Sequence, residues 1–233
     1  MEVRPDETAR SARRHALAAA LTGYVVVAVL ALGVVVGFGP QLRLDGVVSE
    51  ALYAGDGRAH ALDTLLEVLT APGLTVFRVL VLLPVVLRLV LVRAWRTASW
   101  VLTAVVLVGP LTTLLKELVG RVRPDFPGGG ARLESLSFPS GHSSGIATLV
   151  TVALVLAWPL LGPAGRRWWA ALGVALVVLV GLTRMWLGVH FLSDVLGGWA
   201  FGTAWTLTVA LAFGALPGGP AALPARRAAA VTP

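Results

Sequence analysis

Six runs of about 20 mostly apolar residues constrain this chain more than any other feature. They cover Ala16 to about Gly37, then about 74–92, 98–118, 143–162, 168–187 and 192–215. Each is long enough to cross a bilayer, where only a helix or a closed barrel satisfies the backbone. Composition agrees: 57% of the 233 residues are hydrophobic and 13% are charged, against about 45–50% and about 25% in soluble domains. Too little polar surface remains for a water-soluble globule, and intrinsic disorder is excluded. The reading is an all-α polytopic membrane protein, a six-transmembrane-helix bundle. Residues 1–216 form a single domain and 217–233, rich in Pro, Gly and Ala, a disordered cytoplasmic tail.

The first run follows Arg10, Arg13 and Arg14, as a signal peptide would. It exceeds the about 7–15 apolar residues of such a peptide and leads into Phe38-Gly39-Pro40 without a small-residue cleavage site, so it reads as a retained helix. Residues 41–72 are mixed, with Asp45, Glu50, Asp56, Asp63 and Glu67 among Leu and Val. Leu62, Leu65, Leu66 and Leu69 recur at helical spacing, which predicts a short interfacial amphipathic helix over Ala61–Thr70. Arg78 and Arg88 interrupt the second span, close enough to its ends to snorkel.

Six spans put both termini on one side, together with Arg10/Arg13/Arg14, Arg93/Arg96, Arg166/Arg167 and Arg226/Arg227. All four clusters lie in short flanks, so that side is cytoplasmic. The opposite face receives residues 38–73, 119–142 and 188–191. The net charge of +7 is explained by this distribution. No stacking motif or basic helix accompanies it, so no nucleic-acid partner is expected. The absence of cysteine excludes disulfides, thiolate metal sites and Cys nucleophiles.

Ionisable residues at membrane depth are costly and read as functional. Three groups stand at span ends on the non-cytoplasmic side. In the first, Lys116 (the sole lysine) and Arg123 are seven apart, two helical turns, before Pro124 ends the helix. Two cations on one face call for an anion. In the second, Pro139-Ser140-Gly141-His142 opens the fourth span, where free N–H groups and the helix dipole favour negative charge. In the third, Arg184 precedes His190 and Asp194, which are four apart and on one face if helical. There a carboxylate can hold an imidazole in one tautomer as a nucleophile. Taken singly, each group has a plainer reading. Lys116 and Arg123 suit headgroup anchors, and Pro-Ser-Gly suits an ordinary N-cap. His190 and Asp194 suit a structural pair or metal ligands, although zinc wants three or four ligands and the neighbouring cations oppose a metal.

Together, Lys116-x6-Arg123-Pro124, Pro139-Ser140-Gly141-His142 and Thr183-Arg184-x5-His190-x3-Asp194 resemble the signature of the type 2 phosphatidic acid phosphatase family. Its superfamily includes the vanadium haloperoxidases and glucose-6-phosphatase. The internal spacings agree; Thr183 stands where the family usually has Ser and keeps the hydroxyl. The resemblance covers residues 116–194, with the six spans resembling the family's membrane members beyond it.

The resemblance implies a lipid phosphatase working without metal or other cofactor. His190 would be the nucleophile, Asp194 its orienting carboxylate and His142 the general acid and base. Lys116, Arg123, Arg184, the Ser140 hydroxyl and the Gly141 N–H would hold the phosphate. The site would open to the periplasmic or extracellular side of the cell membrane. Substrates would be of the undecaprenyl diphosphate, phosphatidylglycerophosphate or phosphatidic acid class. The loop Asp125–Ser137, with Arg132 and Glu134, covers the expected entrance, and no catalytic role is assigned to Arg121. A phosphotransferase remains open, as does a lipid-phosphate transporter, which would need neither histidine. Soluble haloperoxidases do not match so apolar a chain.

Overall fold

A computed structural model describes residues 5–55, 57–126 and 135–224. The chain is helical: α1 (Pro5–Val35), α2 (Gly39–Leu52), α3 (His60–Thr70), α4 (Thr75–Leu91), α5 (Trp95–Val119), α6 (Gly141–Ala157), α7 (Pro163–Trp186) and α8 (Leu192–Phe213). Single 3₁₀ turns over Ala71–Gly73 and Trp158–Leu160 lead into α4 and follow α6.

Five helices among the described residues are long and apolar enough to cross a membrane: α1, α5, α6 with its 3₁₀ turn, α7 and α8. The run expected near 74–92 is shorter. At 17 residues, α4 is at the short end for a span; the segment His60–Gly73, which contains α3, adjoins it at an angle of 48° with the break at Leu74. Helix α3 runs through the stretch expected at Ala61–Thr70, turning Leu66 onto Leu187 and Val189. Helix α2 was not foreseen, because its acids and apolar residues give no clean helical period.

Helix α8 occupies the centre, packing on α1, α6 and α5. Trp100, Val101 and Ala104 of α5, Val152 of α6 and Val209 of α8 form the main apolar cluster. The outer stripe of α1 (Leu17, Leu21, Val25, Val29 and Leu32) is exposed, as lipid-facing residues are. Without a hydrophobic force between helices in lipid, small residues supply the contacts. A Cβ on Gly202 of α8 would stand 2.2 Å from the Ser144 carbonyl oxygen of α6, and one on Gly198 2.6 Å from that of Ser140. These glycines bring the first turns of α6 and α8 together, where His142 and Asp194 sit. The neighbour at Gly202 is backbone and cannot swing away. Gly202→Ala is expected to cost about 1–3 kcal/mol or more, read as a lower Tm in detergent.

One expectation is corrected, that for Arg78, and the segment after α8 is docked where it is described: within residues 217–224, Ala221 is buried and its carbonyl accepts a 2.9 Å hydrogen bond from Thr97 Oγ1. The apolar Ala221 and Leu223 close the end of the main cluster, which gives this Pro/Gly-rich segment a reason to dock; residues 225–233 lie outside the described residues. Arg78 does not snorkel. Its side chain turns inward and is buried, whereas Arg88 is exposed.

Candidate active site

The signature residues gather at one end of the bundle, from the C-terminal ends of α5 and α7 and the N-terminal ends of α6 and α8. Arg10, Arg13 and Arg96 line a cavity of about 720 Å³ with the last turn of α8, at the opposite end.

Lys116 lies in the last turn of α5, buried, with Nζ donating to the Leu136 carbonyl. The helix stops sooner than expected. Gly120 adopts the left-handed conformation (φ 68°) and its N–H bonds the Lys116 carbonyl, a C-terminal cap that favours glycine. Arg123 therefore reaches the site from an irregular segment rather than from the helix face that carries Lys116. It donates to Ser135 O (2.7 Å), Ser135 Oγ (2.9 Å) and Val189 O (2.7 Å). Its Nη1 also stands 3.1 Å from His190 Nε2.

That contact fixes the imidazole's chemistry. A guanidinium only donates, so Nε2 accepts and the ring proton sits on Nδ1. Nδ1 faces Asp194 Oδ2 at 3.4 Å and Ser137 Oγ at 3.3 Å. His190 precedes α8 instead of lying within it. Asp194, in the first turn, accepts the Phe191 N–H at 2.9 Å, so the same carboxylate caps the helix and faces the ring. Burial pushes the His190 pKa down to about 3; Asp194 opposes this, and Arg123 and Arg184 add to it. The ring is neutral near pH 7, with its electron pair at Nε2 turned to Arg123. NMR of the His190 ring nitrogens is expected to show no protonation between about pH 5 and 8, where an ordinary histidine titrates.

Asp194 is fully buried and its second oxygen is taken by a residue outside the expected set. Arg121 Nη1 donates to Asp194 Oδ1 (2.8 Å) and Ser193 Oγ (2.6 Å), and Nη2 to Asp45 Oδ2 (2.6 Å). Its guanidinium also covers the Phe191 ring at 4.0 Å. Asp45, from α2, accepts the Ser193 N–H (2.9 Å) and hydroxyl (2.6 Å). Ser137 Oγ donates to Asp194 Oδ2, and its N–H to the Arg121 carbonyl at 2.7 Å, which joins the two ends of the loop after α5. Asp45, Arg121, Ser137 and Ser193 escaped sequence reasoning. An acid and an arginine flanking apolar helices were the available signals. Arg132 and Glu134 lie outside the described residues.

Ser140 is completely buried. Its Oγ caps α6 by accepting the Ser143 N–H at 3.4 Å, and its own N–H bonds the Asp194 carbonyl at 2.9 Å. Nothing stands within 4 Å of a Cβ built on Gly141. Gly141 and His142 line a cavity of about 260 Å³ with Lys116, Arg78, Thr75 and Thr112. Arg184, in the last turn of α7, is buried; Nη1 donates to Thr70 Oγ1 at 3.3 Å and Nε has no partner. The Thr183 hydroxyl bonds the Val180 carbonyl within the helix at 2.7 Å. Among the described residues, no three His, Asp or Glu side chains gather as metal ligands would.

The sequence profile of the PAP2 superfamily matches residues 97–216, more than half of the chain. The chain belongs to the PAP2 superfamily. It is similar to phosphatidylglycerophosphatase B of Bacillus subtilis (45% identical over 98 residues, covering 40% of this chain and 46% of that protein). It is also similar to lipid A 1-phosphatase of Rhizobium etli (35% over 124 residues, 49% of this chain and 50% of that protein). The chain spans about half the length of the curated relatives it matches. The PAP2 fold extends further: the crystal structure of a transmembrane PAP2 type phosphatidylglycerolphosphate phosphatase from Bacillus subtilis superposes with a TM-score of 0.65. That match has 28% identity and covers 82% of this chain and 93% of the other. These matches support the reading as a multi-pass membrane protein of PAP2 type.

Proposed function

We propose that this chain is a membrane lipid phosphatase that forms and hydrolyses a phosphohistidine at His190. The observation that carries the reading is the set of contacts that hold the His190 ring between Arg123 and Asp194. Its Nδ1 proton is directed at Asp194 and Ser137, and its Nε2 electron pair lies beside Arg123. The matched relatives are named as phosphatases of lipid substrates, which supports the same class.

Substrate phosphate draws Arg123 off Nε2, and the freed electron pair attacks phosphorus. Lys116, Arg123 and Arg184 hold the non-bridging oxygens with the Gly141 N–H. The Ser140 hydroxyl proton is available to help, since its oxygen is already used as the helix cap. Fixed donors aimed at developing charge supply the largest electrostatic benefit. Asp194 stabilises the charge that the ring acquires. The arriving phosphate anion offsets the surrounding cations and brings a proton that passes to His142; as the phosphorus–oxygen bond to the lipid breaks, His142 gives that proton to the leaving oxygen. His142 then takes a proton from water as the water oxygen attacks the phosphohistidine. The nitrogen–phosphorus bond breaks, inorganic phosphate departs and His142 is protonated again.

In this reading α4, at 17 residues the shortest, is the sixth span, and α3, bent away from it by 48°, lies at the interface. The termini are cytoplasmic and the site opens to the periplasmic or extracellular side, where substrate headgroups sit. The test is phosphate release by purified protein in EDTA from undecaprenyl diphosphate, phosphatidylglycerol phosphate and phosphatidic acid. Release is expected from at least one. Folded protein that releases phosphate from none of them overturns the reading and turns attention to phosphate acceptors other than water, or to transport.

A further inference from the structure

Arg78 belongs to none of the three signature groups, and its setting differs from that of a structural arginine. It lies in the first turn of α4, 2% exposed. A buried charge is costly unless paired. Its only partners among the described residues are two neutral oxygens at 3.2 Å, Gly73 O and Thr75 Oγ1, and Nε has no partner. It makes no salt bridge to any described residue.

The contrast with Arg121 is instructive. Arg121 is comparably buried but holds two carboxylates, so its charge is compensated within the protein. Among the described residues Lys116, Arg123 and Arg184 hold none, and those are the cations assigned above to the substrate phosphate. Arg78 resembles this second set. Helix α6 also makes room for it: a Cβ on Gly145 would stand 2.1 Å from Arg78 Nη1.

The cavity gives the missing anion a position. Arg78 and Thr75 line the same cavity as Lys116, Gly141 and His142, three residues assigned above to the transferred phosphate and its leaving oxygen. His142 is the proton donor to the leaving oxygen, so the space between His142 and Arg78 receives the leaving group. An uncompensated cation there matches a leaving group that is itself an anion.

We propose that Arg78 forms a second anion subsite, for a phosphate carried by the leaving group, so that the substrate is a lipid with two phosphates in series. Two chemistries fit: a polyprenyl diphosphate, whose second phosphate is joined directly to the first, and a phosphatidylglycerol phosphate, whose second lies across a glycerol. A lipid monophosphate leaves Arg78 unpaired. The inference rests on the phosphatase reading above and narrows its substrate class.

The test compares kcat/KM for undecaprenyl diphosphate, phosphatidylglycerol phosphate and phosphatidic acid in the wild type, Arg78→Gln and Arg78→Lys. The wild type is expected to prefer one two-phosphate lipid over phosphatidic acid. In Arg78→Gln that preference is expected to fall by about tenfold or more, because an anion is left facing a neutral group, and Arg78→Lys is expected to restore part of it. The two-phosphate lipid that loses more identifies the spacing. A wild type that prefers phosphatidic acid, or an Arg78→Gln loss equal on all three lipids, overturns the proposal. Should Arg78→Gln fail to fold, the wild type decides. Inorganic pyrophosphate is expected to inhibit it about tenfold more tightly than orthophosphate, and equal inhibition is the contrary result. Absence of turnover on every lipid by folded wild type would instead count against the phosphatase reading itself.

Discussion

Replacing His190 by alanine is expected to lower phosphate release by at least about 10⁴-fold, the scale seen when a covalent nucleophile is removed. The fold should survive. Asp194 keeps its bonds from Arg121, Ser137 and the Phe191 N–H, and Arg123 keeps those to Val189 and Ser135. No buried charge is orphaned, so Tm should move little. Two measurements check this: lipid phosphate release at matched folded protein, and thermal unfolding followed by tryptophan fluorescence. A variant that keeps more than about 1% of activity would rule out His190 as nucleophile, since the oxyanion-type contacts alone leave far less. A collapse of Tm in parallel would mean that the ring is a structural prop.

Arg121→Met should have the largest effect on stability. It leaves Asp45, 2% exposed, and Asp194, fully buried, without their shared cation. Removing one member of a buried pair costs about 3–5 kcal/mol, which in a domain of this size lowers Tm by roughly 6–20 °C. Activity should fall as well, because Asp194 would no longer be held on its Oδ1 side while Oδ2 faces His190. Asp45→Asn is the informative companion. It removes one of the two orphaned charges, so the double variant should lose much less than the sum of the single losses. Strict additivity would mean that Asp45 and Asp194 are not coupled through Arg121.

The sequence disclosed the signature residues because their chemistry is local. A cation pair, a Pro-Ser-Gly turn and a His-x3-Asp spacing can each be read within a few residues, and His190, Asp194 and Arg123 do come into direct contact. The membrane spans were equally legible as long apolar runs. What escaped depends on tertiary position. Asp45 acts on a residue 149 positions away, through Arg121, and nothing in its mixed stretch announces burial. Arg78 near a helix start looked able to reach the interface, and only its packing against Gly145 of α6 turns it inward. The early end of α5 hinged on Gly120, whose left-handed backbone outweighed the stop signal of Pro124.

The buried carboxylates among the described residues at this end, Asp45 and Asp194, both form salt bridges with Arg121, and no described carboxylate is ion-paired with Lys116, Arg78, Arg123 or Arg184. For a phosphatase this uneven sharing has a price at the end of the cycle. Groups that gather a phosphate so firmly also retain it once the lipid has gone. In the proposed mechanism the exit of orthophosphate is then the slow event, with accumulated product rather than scarcity of lipid setting the pace.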